Sequence, residues 1–503
     1  IHCLSKLMKI KEFIMPFLFG LIGIFAFSPF SIKLLIYLSY AYLIHLVLFS
    51  KTSTLSKIFA WGIGHWGFGM SWIIVSIYYY GETHILGASL IFMFLIILLS
   101  IVFTCPIYLI RKLSKFALFN NIITKTFYVS SFILLIELTK YYFLNGVPWL
   151  IPGNIFLDTY FQNIYDYFGV SFASFTIYIL CALLVFNIDN KAIYPIALII
   201  IVSVIPESKV VDDEVNYPVS IIQPSSDPFL KYDDNYSNKI EENLIDLINK
   251  TSIDSKLIVL PEAELPYTLQ DTRFKNFLNS APQSKQIVMG AWSFDDFKLY
   301  NTVYSSKYGD IYKKRHLVPF GEYIPFFSFL RGLIDFFDLP MSNVEKGPKS
   351  QLNIDSVRNN DGNPSNFGGI ATPICFDIAF GNTVRKMNKS SLFMINVSND
   401  TWFGRSIGPH HHLSIARIRA IENNRWIIRA ANDGYSAIIA NNGTIVDYLD
   451  KESRGVINSK INNTMKERTF FNKYGYVLPY FIVFLLILWQ SYGLYVYFNK
   501  KYS

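Results

Sequence analysis

Two stretches of this chain, 85–110 and 477–498, contain no charged residue. A helix needs about 20 consecutive apolar residues to cross a bilayer's hydrocarbon core, and both stretches are long enough. They therefore restrict the chain to folds with a membrane-embedded part. Apolar residues make up 52% of the 503 positions and crowd into the first two hundred and the last thirty, while the middle has the composition of a globular domain. Eight candidate spans can be read, near 12–29, 33–50, 57–79, 85–110, 121–143, 166–186, 191–206 and 477–498. The first two and the seventh are short, which predicts tilted, re-entrant or broken segments. The division that follows is a membrane domain over 1–206, a polar domain over 207–476, and a last span with a short cytoplasmic tail over 477–503.

Basic loops set the orientation of such a chain. Lys6, Lys9 and Lys11 precede the first span, Lys51 and Lys57 flank the second loop, Arg111, Lys112 and Lys115 the fourth, and Lys191 the sixth. Lys500 and Lys501 close the chain, and the intervening loops are nearly free of basic residues, Lys33 excepted. This alternation predicts cytoplasmic termini and a polar domain on the opposite, periplasmic face of a bacterial inner membrane. The first span is expected to act as an uncleaved insertion signal. The formal charge of +8 follows largely from these loops. No basic stripe with interleaved aromatics marks the polar domain, so nucleic acid is not an expected partner.

Within the polar domain, strand-like runs at 217–223, 256–261, 286–291, 300–305, 309–312, 368–375, 391–398, 436–440 and 444–447 alternate with helical patterns at 238–250 and 409–424. That order predicts a layered α/β fold, with an Asn441-Asn442-Gly443 hairpin turn. The polar segment 340–367 reads as a mobile loop.

Cys375 is the only cysteine of this domain, so no internal disulfide is available to it. It ends a β-rich run at a strand-to-helix elbow, where backbone N–H groups can face a developing oxyanion. Glu262 follows a buried strand and a proline, the end of a strand at which open α/β sheets place their sites. It is a candidate general base, and Glu264 is its competitor. Lys314 follows another strand; a fixed ammonium there would favour the thiolate and stabilise an oxyanion. Glu322 is placed to hold the lysine or the base. A carboxylate, an ammonium and a thiol are the parts of a thioester-forming site. Gly62-Ile-Gly64-His-Trp-Gly67 matches a dinucleotide-binding pattern only in spelling, because it lies inside a span with no preceding strand. His410-His411-His412 cannot converge on one ion from a single element, so neither metal nor cofactor is expected.

The order Glu262, Lys314, Cys375, each at a strand end, resembles the carbon–nitrogen hydrolase (nitrilase) superfamily. The flanking residues are similar to those of the apolipoprotein N-acyltransferase family: Leu260-Pro-Glu262-Ala-Glu-Leu-Pro266, Lys314-Arg-His-Leu-Val-Pro-Phe-Gly-Glu322-Tyr-Ile-Pro325, Ile374-Cys375-Phe-Asp377 and Asn399-Asp-Thr-Trp-Phe-Gly404. Phe27-Ser-Pro-Phe30, Gly69-Met-Ser-Trp72, Glu137-Leu-Thr-Lys140 and Gly146-Val-Pro-Trp-Leu150 extend the resemblance into the membrane part. It implies an αββα catalytic domain, Glu262 as base, Lys314 as oxyanion-stabilising cation and Cys375 as acyl-accepting nucleophile. Glu322 and Asp377 would be supporting carboxylates, and Tyr232, Trp402 and Phe403 substrate-binding residues. The implied partners are a phospholipid acyl donor and a diacylated apolipoprotein. Phe376-Asp377 stands where the family usually has Tyr-Glu, so a hydrogen bond of that carboxylate is expected to shift or be lost; Lys140 stands where arginine is commoner. Phe326, Phe327, Phe329, Phe336 and Phe337 suit either an interfacial surface or the domain's own core. Two other readings stay open: a membrane-tethered amidase in which water resolves the thioester, and a non-enzymatic scaffold.

Overall fold

The structure, a computed structural model, describes residues 2–81, 84–117, 119, 121–187, 191–208, 211, 214–227, 230, 233–319, 321–323 and 344–502. Tyr232 and the five phenylalanines between 326 and 337 lie outside these residues.

Apolar helices fill the N-terminal two fifths. Ile85–Phe116, Ile122–Thr139, Tyr160–Phe186 and Val477–Lys500 are long and apolar enough to cross a membrane. Thr54–Gly69 and Trp72–Tyr79 form one further candidate bent by 53°, and Glu12–Ala26, Leu34–Phe49 and Ile193–Val204 are shorter apolar helices. The Gly62–Gly67 run sits inside the helix Thr54–Gly69. A Cβ at Gly64 would lie 2.0 Å from the Phe17 carbonyl oxygen. Its glycine therefore serves close helix packing, as small residues do between membrane helices.

Among the described residues the polar region forms two six-stranded sheets. One has the order β12-β1-β2-β3-β4-β5, formed by β1 (Tyr217–Gln223), β2 (Leu257–Leu260), β3 (Gln286–Asp295), β4 (Lys298–Ser305), β5 (Ile311–Lys313) and β12 (Gly455–Ile461). The other runs β11-β10-β9-β8-β7-β6, from β6 (Ile354–Arg358), β7 (Pro364–Ala371), β8 (Phe393–Asn399), β9 (Ile427–Asn432), β10 (Ser436–Ile439) and β11 (Ile445–Leu449). β1, β2 and β3 pair in parallel, as do β7, β8 and β9. Parallel strands covered on both faces read as unbroken apolar runs, and β2, Leu-Ile-Val-Leu, is buried throughout. Val219, Val259 and Val288 of one sheet meet Ile395, Val397 and Ile428 of the other in a shared core. Each such side chain contributes about 1.5–3 kcal/mol when fully buried.

The outer layers differ. Helices Asp234–Asn249 and Thr272–Ser280 cover the first sheet through Leu244, Leu247, Phe274 and Phe277. On the second sheet, helix Gly408–Asn423 packs through Ile415 and Ala416 into the same apolar cluster as the N-terminal apolar helices. This helix is the layer by which the α/β region sits on the helical region. Arg417 grips both carboxylate oxygens of Asp158, and the buried Glu422 accepts the Val170 N–H at 2.9 Å.

Three sequence expectations change here. The second half of the segment read as a mobile loop, 340–367, is the hairpin of the edge strand β6 and the start of β7; residues 340–343 lie outside the described ones. The run ending at Cys375 stops as a strand at Ala371, and Cys375 opens a 3-10 turn. β9 and β12 were not foreseen. β9 carries the fully buried Arg429 at its centre, which breaks the apolar signature of a core strand.

Candidate active site

Strand ends from both sheets face one another. Glu262 leaves β2 through Pro261, and the chain passes so close to β3 that only glycine fits there: a Cβ at Gly290 would lie 2.5 Å from the Glu262 Cα. Lys314 extends β5, its N–H donating to the Asn301 carbonyl of β4 at 2.8 Å. Cys375 follows β7 with φ of +43°, a left-handed conformation rare outside glycine and concentrated at functional sites.

The Lys314 ammonium is 1% exposed and donates to Glu262 Oε1 at 3.0 Å and Glu322 Oε1 at 2.9 Å. Asn301 Nδ2 bridges the same two oxygens at 2.7 and 3.1 Å. Glu262 Oε2 accepts the Asn399 N–H, at the end of β8, at 2.9 Å, so this carboxylate joins the two sheets. Glu322 Oε2 caps the Val318 N–H at 2.9 Å. Burial opposes the Lys314 charge, but Glu262 and Glu322 hold its ammonium well above the ordinary lysine range. The group remains a cation at every working pH. Glu264, the competing base, turns the other way and accepts from the Ser226 hydroxyl.

Glu262 and Lys314 both act electrostatically on the Cys375 thiol. Burial pushes the thiol well above the ordinary cysteine range, and the Glu262 charge pushes it further, while Lys314 pulls the other way and does not prevail. That direction runs against the resting thiolate expected from Lys314 alone, so attack requires the proton to leave as the bond forms.

Asp377 ties the two halves of the site together. Its carboxylate accepts the His316 N–H at 2.7 Å, the Ile374 N–H at 3.3 Å, the Arg315 N–H at 3.4 Å and the Tyr312 hydroxyl at 3.2 Å. One side chain thereby fastens the turn after Lys314 to the turn around Cys375. Burial pushes the Asp377 carboxyl up to about 6, against the pull of these donors.

Phe403 is buried among Trp72, Trp149 and His412, with ring centroids 4.8, 6.3 and 5.8 Å away. Trp402 is half-buried and accepts from the Ser76 hydroxyl at 2.6 Å through its carbonyl. Both therefore stand where the catalytic region meets the helical one. The sequence reading missed Asn301 and the Asn399 N–H. A buried asparagine between Tyr300 and Thr302 was a signal for the first; backbone donors leave none.

A family model described as carbon-nitrogen hydrolase matches residues 219–469, and one described as the apolipoprotein N-acyltransferase N-terminal domain matches residues 19–183. Curated proteins named apolipoprotein N-acyltransferase align along most of the chain. That of Haemophilus influenzae is 31% identical over 477 residues, 87% of this chain and 86% of its own. That of Haemophilus ducreyi is 29% identical over 501 residues, 94% of this chain and 95% of its own. That of Pasteurella multocida is 29% identical over 530 aligned positions, covering 98% of each.

Proposed function

The chain belongs to the apolipoprotein N-acyltransferase family, and on that premise we propose that Glu262, Lys314 and Cys375 carry out its acyl transfer. It is a membrane enzyme of the carbon–nitrogen hydrolase superfamily that N-acylates lipoproteins, and its apolar helices fit an inner-membrane protein. The observation that carries the assignment of residues is the buried Lys314 ammonium clasped between Glu262 and Glu322 beside the thiol.

The donor is a phospholipid. Glu262 takes the Cys375 proton as the sulfur attacks the ester carbonyl. The charge on the tetrahedral oxygen falls to Lys314 and nearby N–H groups. The lysophospholipid oxygen leaves with the proton from Glu262, and a thioester remains. The N-terminal amine of the diacylglyceryl-cysteine then attacks that thioester, gives its proton to Glu262, and the thiol is restored. These are two half-reactions through a covalent intermediate. Glu322 keeps the ammonium in place, and Asp377 keeps the cation's turn and the nucleophile's turn in register. Withdrawing an acyl chain from lipid costs about 0.8 kcal/mol per CH₂. A long chain would exceed about 10 kcal/mol on that scale, so the thioester chain must stay within reach of the bilayer. Attachment of the catalytic region to the helical region supports this reading. We keep the division into a membrane domain (1–206), a periplasmic catalytic domain (207–476) and a final span (477–503), with Trp402 and Phe403 contacting substrate where the catalytic region meets the helical one.

The test uses a phospholipid labelled in one acyl chain and a diacylglyceryl-cysteine peptide. The label should move to the peptide's α-amine. Release of the label only as free fatty acid, with the peptide present, would identify an amidase-like hydrolase instead.

A further inference from the structure

The three consecutive histidines point to three partners, as expected for neighbours about 100° apart around a helix. His410 Nε2 lies 3.2 Å from the Tyr435 hydroxyl, and His411 Nδ1 accepts from Trp149 Nε1 at 3.2 Å. His412 Nε2 lies 3.1 Å from the carbonyl oxygen of Cys375. A carbonyl can only accept, so Nε2 carries a proton. The other nitrogen, Nδ1, is 3.0 Å from Asp400 Oδ1 and 3.1 Å from Arg429 Nη2. Arg429 donates to Asp400 Oδ2 at 2.6 Å, and Ser398 donates to Asp400 Oδ1 at 2.5 Å. His412, Asp400, Arg429 and Ser398 are all at most 1% exposed. Arg429 and the Asn399–Asp400 turn come from adjacent strands, so the sheet itself fixes the frame in which the ring sits.

A fully buried ion pair is weak support for stability, because desolvation offsets most of the attraction. Here the pair meets the inner edge of one imidazole, and the outer edge of that imidazole meets the nucleophile's backbone. The left-handed φ of Cys375 is a conformation worth about 1–3 kcal/mol of strain, kept only where the surroundings over-determine it. Asp377 holds the N–H side of that turn through Ile374; the cysteine's own carbonyl is held by His412.

We propose that His412 is a positioning residue for Cys375: its Nε2–H fixes the cysteine carbonyl and so the backbone that aims Sγ, while Asp400 and Arg429 fix the ring. The inference rests on Cys375 being the acyl-accepting nucleophile.

Asparagine and glutamine separate the two edges of the ring. The glutamine amide nitrogen falls where Nε2 was, and the asparagine nitrogen where Nδ1 was. The full-length enzyme in detergent, given phospholipid without acceptor, is followed for acylation of Cys375 by mass spectrometry in single turnover, with thermal unfolding measured alongside. His412→Asn should acylate about 10²-fold more slowly, the magnitude expected of a misplaced reacting group, with half-saturating phospholipid unchanged. His412→Gln should acylate near the wild-type rate. A contact that merely stabilises the fold through Asp400 predicts the reverse order. The proposal is overturned if His412→Asn acylates normally or if His412→Gln falls as far. If His412→Asn does not accumulate as folded protein, His412→Gln alone decides by the same criterion. Cys375→Ala is the control for the premise: an adduct that persists there removes the nucleophile assignment, whereas a wild-type adduct with the wrong variant order removes only the role of His412.

Discussion

At Lys314 one buried ammonium answers two carboxylates, and the site's charge balance depends on it. Replacing it by methionine leaves Glu262 and Glu322 sharing a dry space without a cation. Removing one partner of a buried pair typically costs about 3–5 kcal/mol, so Lys314→Met should unfold at clearly lower temperature in detergent; an unchanged melting temperature would show the three charges to be independent. Cys375 carries the opposite lesson. Its pKa is raised, so at neutral pH its thiolate fraction should lie below that of a free cysteine. Alkylation of Cys375 by iodoacetamide should be slow at pH 7.5 and climb only above the ordinary thiol range; a plateau already reached at neutral pH would mean a resting thiolate. Of the residues read from sequence, Glu262, Lys314, Cys375, Glu322 and Asp377 come together in space, because each sits at or just beyond a strand end or turn that the apolar pattern marks. The thiol's protonation was not legible, because it depends on how burial weighs against two opposite charges. His412 was seen only as one of three histidines in a row, since the helix's rotation, not the spelling, decides where each ring goes.

Among the elements, parallel strands with clean apolar runs were readable and those with a polar centre were not. β2 shows the first case; β9, with Arg429 paired to Asp400, shows the second. The β3–β4 hairpin turns on Asp296 and Phe297, both at positive φ, with neither glycine nor asparagine to announce it. The Asn-Gly turn between β10 and β11 was visible because Gly443 supplies the positive φ openly. Phe403 tests how the elements join. Its ring fills the space between Trp72, Trp149 and His412, and truncation of a buried phenylalanine costs about 3–5 kcal/mol. Phe403→Ala should therefore lower the melting temperature as well as activity. A normal melting temperature with a raised KM for phospholipid would make Phe403 a substrate contact only.

Among the described residues, all eight apolar stretches read from sequence are helical, yet only four are long and straight enough to cross by themselves. Hydropathy marks where the apolar helices lie but not their bends, which depend on packing such as the approach of Gly64 to Phe17. The basic-loop pattern predicts a periplasmic catalytic domain. Phe297, at the tip of the β3–β4 hairpin, is fully exposed, so Phe297→Cys should react with a membrane-impermeant maleimide in intact spheroplasts. Labelling only after lysis would invert the topology. The account as a whole depends on the sulfur of Cys375 carrying the acyl chain after Glu262 has taken its proton. The most direct measurement is intact-peptide mass spectrometry after incubation with phospholipid alone. The peptide containing Cys375 should gain the mass of one acyl chain, and Glu262→Gln should reduce that yield by about 10²–10⁴-fold, the usual worth of a general base. No acyl mass on that peptide, or an undiminished yield in Glu262→Gln, would contradict it.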